Sequence, residues 1–379
     1  MSADHAEHNG NGGAAASAAT AAASPGGVAA GSDGLVRQPP KRTITLAHGS
    51  GGKAMQDLIR DVFVAGFDNP LLGALEDQAR VELAELLQRG DRLAFTTDSY
   101  VVDPLFFPGG DIGKLAVSGT VNDLAVGGAR PLFLSCGMIM EEGLPIDELQ
   151  KVVESMRATA QQAGVAIVTG DTKVVHKGAA DKLFINTAGI GVIPAGVDIR
   201  AERAQPGDVI IVNGFIGDHG AAIVDARGEL ALQHVIESDC QPLNGLVEAM
   251  LETGVDIHCM RDATRGGIAT VLNEFASASN TCMRLREEAL PLREEVRGMC
   301  EILGLDPLYL ANEGKLVAVV AAQDADRLLN AMRAHPAGGD AAIIGEVSAD
   351  PAGTVVLHTA FGGERIIDVL VGEQLPRIC

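Results

Sequence analysis

Tryptophan is absent from the 379-residue sequence, and aromatic residues make up only 3% of it. With 46 glycines, the composition favours binding sites lined by backbone over aromatic stacking platforms. Basic residues are also scarce, since 29 Lys and Arg stand against 50 Asp and Glu, a net charge of −21. Nucleic-acid backbones require clustered Lys and Arg. The sequence therefore predicts no nucleic-acid partner, although a metal ion could still bridge carboxylates to a nucleotide.

Long apolar runs and paired cysteines are missing as well. No stretch of 18 apolar residues occurs beyond the Ala-rich N-terminus, so no membrane span is predicted. The Ala-rich run at 14–24 is preceded by Asp4 and Glu7 rather than by basic residues, unlike a signal peptide. Six cysteines include no CxxC pair, which argues against a zinc knuckle. These features predict a cytoplasmic protein with reduced thiols.

Composition and hydrophobic spacing divide the chain into four parts. Residues 1–40 are rich in Ala, Gly, Ser and Asn, which is typical of a disordered extension. Alternating helical and strand-like segments predict two α/β sandwich-like domains, at 41–195 and 204–371, and then a flexible tail at 372–379. Strands are expected at 92–97, 132–139, 166–169, 184–193, 209–212, 316–321, 342–347 and 365–371. Helices are expected at 55–64, 112–126, 146–164 and 324–334, and from the motif at 261–267 through 277.

Three aspartates are candidate metal ligands. Asp98 is predicted to follow one strand and Asp171 a second, buried strand, whereas Asp123 lies inside an otherwise apolar helix that Asp111 could cap. A buried carboxylate is costly unless it is paired, hydrogen-bonded or bound to metal. Oxygen ligands beside Gly and Thr suit Mg²⁺ near phosphates. Capping or turn formation is the alternative for each Asp.

Glycine-rich and charged motifs supply further candidates. The run at 49–53 could hold phosphate through its backbone N–H groups, although its spacing is not that of a Walker A loop. Its candidate residues are Gly51, Gly52 and Lys53. Lys173 could stabilise a transferring phosphoryl group, and Asp262 with the glycines that open the next helix forms a second candidate anion site. Glu313 lies at a tight turn before a strand. Linker, surface, capping and turn roles are the respective alternatives.

The last residue of the sequence is a cysteine. Cys379 follows Pro376, which stiffens its approach, and the eight residues from Gly372 span at most roughly 26–29 Å when extended. That reach would bring the thiol into a neighbouring active site. A terminal cysteine without a role is the alternative. The other five cysteines lie mostly in apolar or helical settings and are predicted to be packing residues.

Several of these motifs resemble those of the aminoimidazole ribonucleotide synthetase (PurM-like) superfamily, namely the segments 96–98, 108–131, 169–175 and 261–267. The segment 311–315 and the ending 376–379 are similar to those of its HypE family of hydrogenase maturation proteins, and the similarity runs from about residue 43 to 379. The resemblance implies a two-domain architecture in a homodimer. The N-terminal domains would pair their sheets into a barrel, and each C-terminal domain would be an α/β sandwich.

The resemblance also implies an ATP-dependent carbamoyl dehydratase. A carbamoyltransferase, HypF, would load Cys379, and ATP with Mg²⁺ would serve to dehydrate the carbamoyl group to thiocyanate. Cyanide would then pass to iron on the HypC–HypD scaffold of nickel–iron hydrogenase maturation. The residues implied for metal and phosphate binding are Asp98, Asp123 and Asp171. Lys173 would stabilise phosphate charge, Glu313 would remove a proton, and Lys53 with its glycines would close over the nucleotide.

Other functions stay open at the level of sequence. Selenophosphate synthetase and thiamine-monophosphate kinase belong to the same superfamily, and a non-catalytic maturation scaffold would also present a tail. The first requires a reactive Cys or selenocysteine near its N-terminal lysine loop, and the run at 48–53 contains none. Neither enzyme requires a terminal cysteine. Since the thiol must meet a transferase, an ATP site and an iron scaffold, the tail is predicted to alternate between outward and inward positions.

Overall fold

Two β-sheets with helices packed on them position the candidate residues. A computed structural model describes residues 42–76, 78–228, 235–370, 372, 375 and 377–379, so the extension predicted at 1–40 lies outside the described residues. The strands are β1 Arg92–Tyr100, β2 Phe106–Phe107, β3 Gly110–Asp111, β4 Arg130–Glu141, β5 Ala166–Val175, β6 Leu183–Ile193, β7 Asp208–Val212, β8 Ile257–Asp262, β9 Cys282–Arg286, β10 Leu316–Ala321, β11 Ala342–Ser348, β12 Thr354–His358 and β13 Glu364–Ile367.

The α-helices lie mainly between these strands. They are α1 Lys53–Leu58, α2 Ala65–Phe67, α3 Pro70–Gly73, α4 Leu83–Leu87, α5 Ile112–Val126, α6 Ile146–Ala163, α7 Asp218–Ala226, α8 Asn244–Glu252, α9 Gly267–Ser279, α10 Glu294–Leu303 and α11 Ala322–Ala334. A π-helical segment, Ile59–Val64, joins α1 to α2 without a break. Among the described residues, none of the helices is long and apolar enough to cross a membrane.

The N-terminal sheet has the order β1-β6-β4-β5, with β4 and β5 parallel and the other pairs antiparallel. Helix α5 covers its inner face and begins where the Asp111 carboxylate accepts hydrogen bonds from the backbone N–H groups of Gly113 and Lys114. This confirms the predicted cap and both ends of the helix. Nearly every residue of α5 is buried, because the helix also contacts α6, α8 and β8. It therefore links the N-terminal sheet to the C-terminal half of the chain.

The outer face of the same sheet is partly apolar and exposed in the part of the chain that the structure describes. Leu93 and Phe95 on β1 expose 58% and 72% of their surface, and Ile139 and Ile190 on the neighbouring strands expose 41% and 38%. Phe95 and Ile190 lie opposite each other, whereas Ile139 lies six residues along β4 from the position opposite Ile190. Exposed apolar side chains on one face of a sheet mark an interaction surface. We call these four residues the outer apolar face.

The C-terminal sheet has the order β13-β12-β9-β11-β7-β10-β8. One apolar core lies between this sheet and α9, and another lies under α8 and α11. The mixed α/β class is confirmed, with helices on both faces of this larger sheet. The last residues of β8 and the turn before β10 lie close to α5. Asp262 and Glu313 are therefore beside the N-terminal sheet.

Three strands end more than two residues away from their predicted ends. β1 continues through Asp98, which pairs with Thr187, and β5 continues through Asp171, which pairs with Gly137. Both aspartates therefore lie inside strands, not after them as predicted. The strands continue because each polar segment finds a hydrogen-bonding partner strand far away in sequence. The last strand, predicted at 365–371, ends at Ile367 among the described residues.

Candidate active site

A cluster of acidic side chains surrounds the thiol of Cys379. The carboxyls of Asp98 (β1), Asp123 (α5) and Asp262 (end of β8) influence one another electrostatically, and Glu313, in the turn before β10, is a hydrogen-bonding neighbour of the thiol. We call these five residues the thiol–acid cluster. A pocket lined by Thr96, Asp123, Asp262, Thr264 and Arg265 opens onto it.

Asp98 and Asp123 approach each other because β1 packs directly on α5. The hydroxyl of Thr96 donates to Asp123 Oδ2 at 2.8 Å, and Asp98 Oδ1 accepts from the backbone N–H of Ser99 at 2.9 Å. Arg265 Nη2 lies 4.0 Å from Asp98 Oδ1. Burial, and secondarily the neighbouring Asp98, raises the pKa of Asp123 despite the Thr96 hydrogen bond.

Asp262 is the most perturbed of the three aspartates. Its Oδ2 is buried and has no hydrogen-bond partner among the described residues. Burial first, and then the charges of Asp123 and Asp98, raise its pKa to about 7. Carboxylates that are this close and this dehydrated cannot all be ionised without a compensating cation.

Glu313 is 3% exposed, and its backbone is fixed by a buried ion pair. Asp239 accepts from the backbone N–H groups of Glu313 and Gly314 at 3.0 and 3.2 Å, and from Lys315 Nζ at 3.0 Å. A Cβ on Gly314 would lie 2.0 Å from the Asp239 carbonyl oxygen, so only glycine fits there. Glu313 Oε1 has no hydrogen-bond partner among the described residues, and burial, followed by Asp239 and Asp262, raises the pKa of Glu313 well above its ordinary value.

All six cysteines are free, and the structure separates Cys379 from the rest. Cys136, Cys240, Cys259, Cys282 and Cys300 are buried, which confirms them as packing residues. Cys379 is half-buried and borders a pocket that also contains Arg265 and Gly266. Burial and the nearby Glu313 raise the pKa of its thiol well above the ordinary value, although Arg265 opposes this. In this position the thiol is protonated.

Main-chain contacts hold the end of the tail against the body of the protein. His219 Nε2 donates to the carbonyl oxygen of Ile378 at 2.8 Å, and the Ile378 side chain is buried. Arg227 Nη2 donates to the carbonyl oxygen of Arg377 at 2.8 Å, and Arg377 Nη1 donates to Asp181 Oδ2 at 2.9 Å. The tail lies in an inward position here, and the predicted alternation with an outward position stays a prediction.

A second group of predicted residues lies elsewhere on the N-terminal sheet. Lys173 Nζ donates to Asp171 Oδ2 at 2.7 Å, and both side chains are more than 60% exposed. The glycine-rich run packs on the same strand, since a Cβ on Gly49 would lie 3.0 Å from Val174. Gly51, Gly52 and Lys53 are exposed, and Lys53 Nζ lies 3.3 Å from an oxygen of Asp57. We call this group the β5 group.

Within one chain the thiol–acid cluster and the β5 group are separate. Asp98 aligns across β6 and β4 with Gly170, so Asp171, the next residue, projects from the opposite face of the sheet. Three strand spacings between β1 and β5 amount to about 14 Å. The implied metal set therefore does not assemble from one chain, and Asp262 lies beside Asp98 and Asp123 instead. Among the described residues, no group of three or more His, Cys, Asp or Glu side chains is arranged as metal ligands.

Sequence motifs did not point to several residues that build the site. His219, Ser238 and Asp239 are buried polar residues in segments without a recognisable motif. A histidine on the apolar helix α7 was the one available signal, because a buried polar group needs a partner. Arg265 lay within a recognised motif but had not been assigned a role.

Two family models match the chain. The model described as AIR synthase related protein, N-terminal domain, matches residues 75–193, and the corresponding C-terminal domain model matches 205–358. The predicted domain boundaries at 195 and 204 themselves stay a prediction.

Individual proteins resemble the chain over nearly all of their own length. It is 58% identical to carbamoyl dehydratase HypE of Rhodobacter capsulatus, covering 89% of this chain and 98% of that protein. A crystal structure of the hydrogenase maturation protein HypE in complex with ATP is 52% identical, with a TM-score of 0.83, covering 88% of this chain and 99% of that one. A structure of a HypE–HypF complex is 48% identical, with a TM-score of 0.72, covering 83% and 99%.

Proposed function

The chain belongs to the HypE family of carbamoyl dehydratases, and on that basis we propose that it converts a carbamoyl group on its own Cys379 to thiocyanate with ATP. The observation that carries this proposal is the position of Cys379, whose thiol lies beside Glu313 and within the electrostatic influence of Asp98, while Asp123 and Asp262 line a pocket that shares Arg265 with the pocket of Cys379. A selenophosphate synthetase or thiamine-monophosphate kinase would have no use for a thiol at this place.

Loading of the thiol takes place with the tail outside. A thiolate, not a thiol, attacks an acyl donor. Because the docked thiol has a raised pKa, it is a poor nucleophile where it lies. The released tail meets a carbamoyltransferase of the HypF type, in keeping with the known HypE–HypF complex. The loaded group is neutral, so it can return among the carboxyls of the cluster without adding a charge.

Dehydration requires the amide oxygen to leave. ATP supplies a phosphoryl group that makes this oxygen a good leaving group. The C–O bond then breaks and the oxygen departs in phosphate, the carbon–nitrogen bond becomes a triple bond, and both nitrogen protons are lost. The balance is carbamoyl plus ATP to thiocyanate, ADP, hydrogen phosphate and one released proton.

Glu313 removes a proton from the nitrogen. Its unpartnered Oε1 can accept that proton. Because Glu313 lies next to the Cys379 thiol, the carbamoyl group loaded on that thiol comes within reach. The raised pKa makes the ionised form a stronger base than an ordinary carboxylate. The buried Lys315–Asp239 pair fixes the backbone on which Glu313 stands.

The cluster suits a hard divalent cation. Asp98, Asp123 and Asp262 offer carboxylate oxygens, the ligands that Mg²⁺ prefers, and the orphaned Oδ2 of Asp262 is a ready donor. In this proposal these three residues hold Mg²⁺ with the phosphates of ATP, while Arg265 lies beside them with its positive charge.

The β5 group joins the site through a homodimer. The outer apolar face lies on the same side of the sheet as Asp171 and Lys173. Pairing of two such faces into a barrel would cover the apolar side chains and bring the β5 group to the subunit boundary. There Lys173 would stabilise phosphate charge and Gly51, Gly52 and Lys53 would close over the nucleotide.

The remaining partners follow from the product. Cyanide is passed from the thiocyanate to iron on a HypC–HypD scaffold, and in this proposal the reaction takes place in the cytoplasm, where thiols stay reduced. No membrane partner and no nucleic acid enter the scheme.

The mass of the C-terminal peptide tests the function. The protein is incubated with carbamoyl phosphate and the transferase, with and without ATP in a second step, and then digested. A carbamoyl group on Cys379 should appear first, and one water should be lost only after ATP is added. The Cys300 peptide is the internal control and should stay unmodified. Retention of the carbamoyl group in the presence of ATP would favour a scaffold and contradict the proposal.

A further inference from the structure

The docked tail is held by a buried histidine that the dehydration chemistry does not use. His219 has no exposed surface, and its ring packs edge-on against Phe107 with centroids 5.5 Å apart. Its Nε2 bonds to the carbonyl oxygen of Ile378, the residue before Cys379. The two residues are 159 positions apart in sequence, so this contact exists only while the tail is inward.

Burial lowers the pKa of His219 and favours the neutral ring, and the hydrogen-bond partners then fix which nitrogen carries the proton. A backbone carbonyl only accepts, so Nε2 carries the proton. Nδ1 then accepts from the Ser238 hydroxyl at 2.8 Å, and Ser238 Oγ in turn accepts from the backbone N–H of Cys240 at 3.1 Å. In this hydrogen-bond series the imidazole and the Ser238 hydroxyl each donate one bond and accept one. The imidazole is therefore oriented toward the tail before the tail arrives.

A second clamp lies one residue earlier. Arg227 Nη2 and the backbone N–H of Asp103 both donate to the carbonyl oxygen of Arg377, at 2.8 and 3.2 Å. Arg377 itself has φ 52°, a left-handed conformation that residues other than glycine adopt at a cost. The docked tail thus combines specific main-chain contacts with one strained residue, which favours release and keeps the docking reversible.

We infer that His219 is a positioning residue, which grips the Ile378 carbonyl and thereby holds the carbamoyl-loaded thiol beside Glu313 for dehydration. Both clamps donate hydrogen bonds to main-chain carbonyl oxygens, so they tolerate any group carried on the Cys379 sulfur. They act on docking of the tail, whereas loading takes place while the tail is in its outward position. The catalytic consequence rests on the proposed function, whereas the docking itself does not.

Alkylation of the native, unmodified protein tests the docking. Iodoacetamide reacts with exposed thiolates, so Cys379 reacts slowly while it is docked, and the five buried cysteines serve as internal references. We expect His219→Leu to raise the alkylation rate of Cys379 roughly three- to tenfold, the range expected for the loss of one hydrogen bond. His219→Gln, whose amide can still donate to the carbonyl, should stay near the wild-type rate.

Two further variants separate positioning from loosening of the fold. His258, another buried histidine, contacts Asp208 and not the tail, so His258→Gln reports the effect of general destabilisation. Arg227→Met removes the second clamp from a less buried position and keeps the test open if His219→Leu does not fold. A smaller rise in alkylation is expected for Arg227→Met. Equal rates for His219→Leu and wild type, or an equal rise in His258→Gln, would overturn the inference, as would no rise in Arg227→Met.

Kinetics with the loaded protein then separate the two proposals. His219→Leu should accept the carbamoyl group at least as fast as the wild type, because more of its tail is outside, and should dehydrate the loaded group more slowly. A slower loading step would also contradict the assignment. If the wild-type protein makes no thiocyanate at all while the alkylation pattern holds, the proposed function fails and the docking role stands.

Discussion

Replacement of Asp262 by asparagine should stabilise the nucleotide-free protein, and the size of the effect can be worked out from its pKa. That pKa is about 7, against an ordinary 3.8. At 1.36 kcal/mol per pKa unit, the ionised side chain destabilises the folded state by at most about 4 kcal/mol. Relaxation of the site and sharing with Asp123 reduce the gain to about 2 kcal/mol, or roughly 4–8 °C in Tm.

The sign of the pH dependence follows from the raised pKa. Below pH 3.8 the carboxyl is protonated in both folded and unfolded chains and contributes no penalty. As the pH rises toward 7, the unfolded chain ionises while the folded chain resists, so stability is lost across this window and the penalty is full above it. The gain from Asp262→Asn should therefore be near zero at pH 4 and largest at pH 8.

Thermal unfolding of both proteins at several pH values, without Mg²⁺ and nucleotide, is the assay. Asp256→Asn is the matched control on the approach to the same strand, because its hydrogen bond with Arg203 lowers the pKa of Asp256 and the expected change has the opposite sign. When Mg²⁺ and ATP are added, the Tm of the wild-type protein should rise more than the Tm of the variant. The reasoning would be refuted if the Tm of Asp262→Asn were below that of the wild type at pH 8, or if the variant gained as much at pH 4 as at pH 8.

Three further substitutions test other parts of the site. Cys379→Ser should leave ATP binding unchanged in calorimetry but abolish carbamoyl loading in mass spectra; loading at another residue would contradict it. Glu313→Gln should keep loading and ATP binding while single-turnover dehydration falls about 10²–10⁴-fold, and an unchanged rate would remove Glu313 as the base. Lys315→Met leaves the Asp239 charge buried and unpaired, and should cost about 3–5 kcal/mol in stability. Adding Asp239→Leu should recover part of that loss, and no recovery would argue against the pair.

Local signals in the sequence were enough for α5 and α6, the two long helices of the N-terminal half. The apolar spacing of 112–126 and the Asp111 cap are properties of neighbouring residues, and α5 has both ends where they were predicted. The lengths of β1 and β5 were not local properties. Their polar ends continue as strands because Thr187 and Gly137 lie opposite them, and no pattern within either segment records those partners.

The residues of the candidate site also divide into those that local motifs indicated and those that depend on contacts between distant parts of the chain. Glu313, Asp123 and Cys379 were named from motifs, and the structure places all three in one cluster. The contact between His219 and Ile378 could not be anticipated, because it depends on where a tail folds back after the rest of the chain has formed. Asp171 was grouped with Asp98 because each was predicted to follow a strand beside Gly or Thr, whereas strand pleating sends their side chains to opposite faces of one sheet.

The exposed outer face of the N-terminal sheet has a consequence for how the protein matures. A newly made subunit that finished folding alone would present Phe95 and its neighbours to water, with nothing to shield them from other chains. If the proposed homodimer forms through this face, association would belong to the folding reaction itself, and the yield would depend on how quickly two chains find each other.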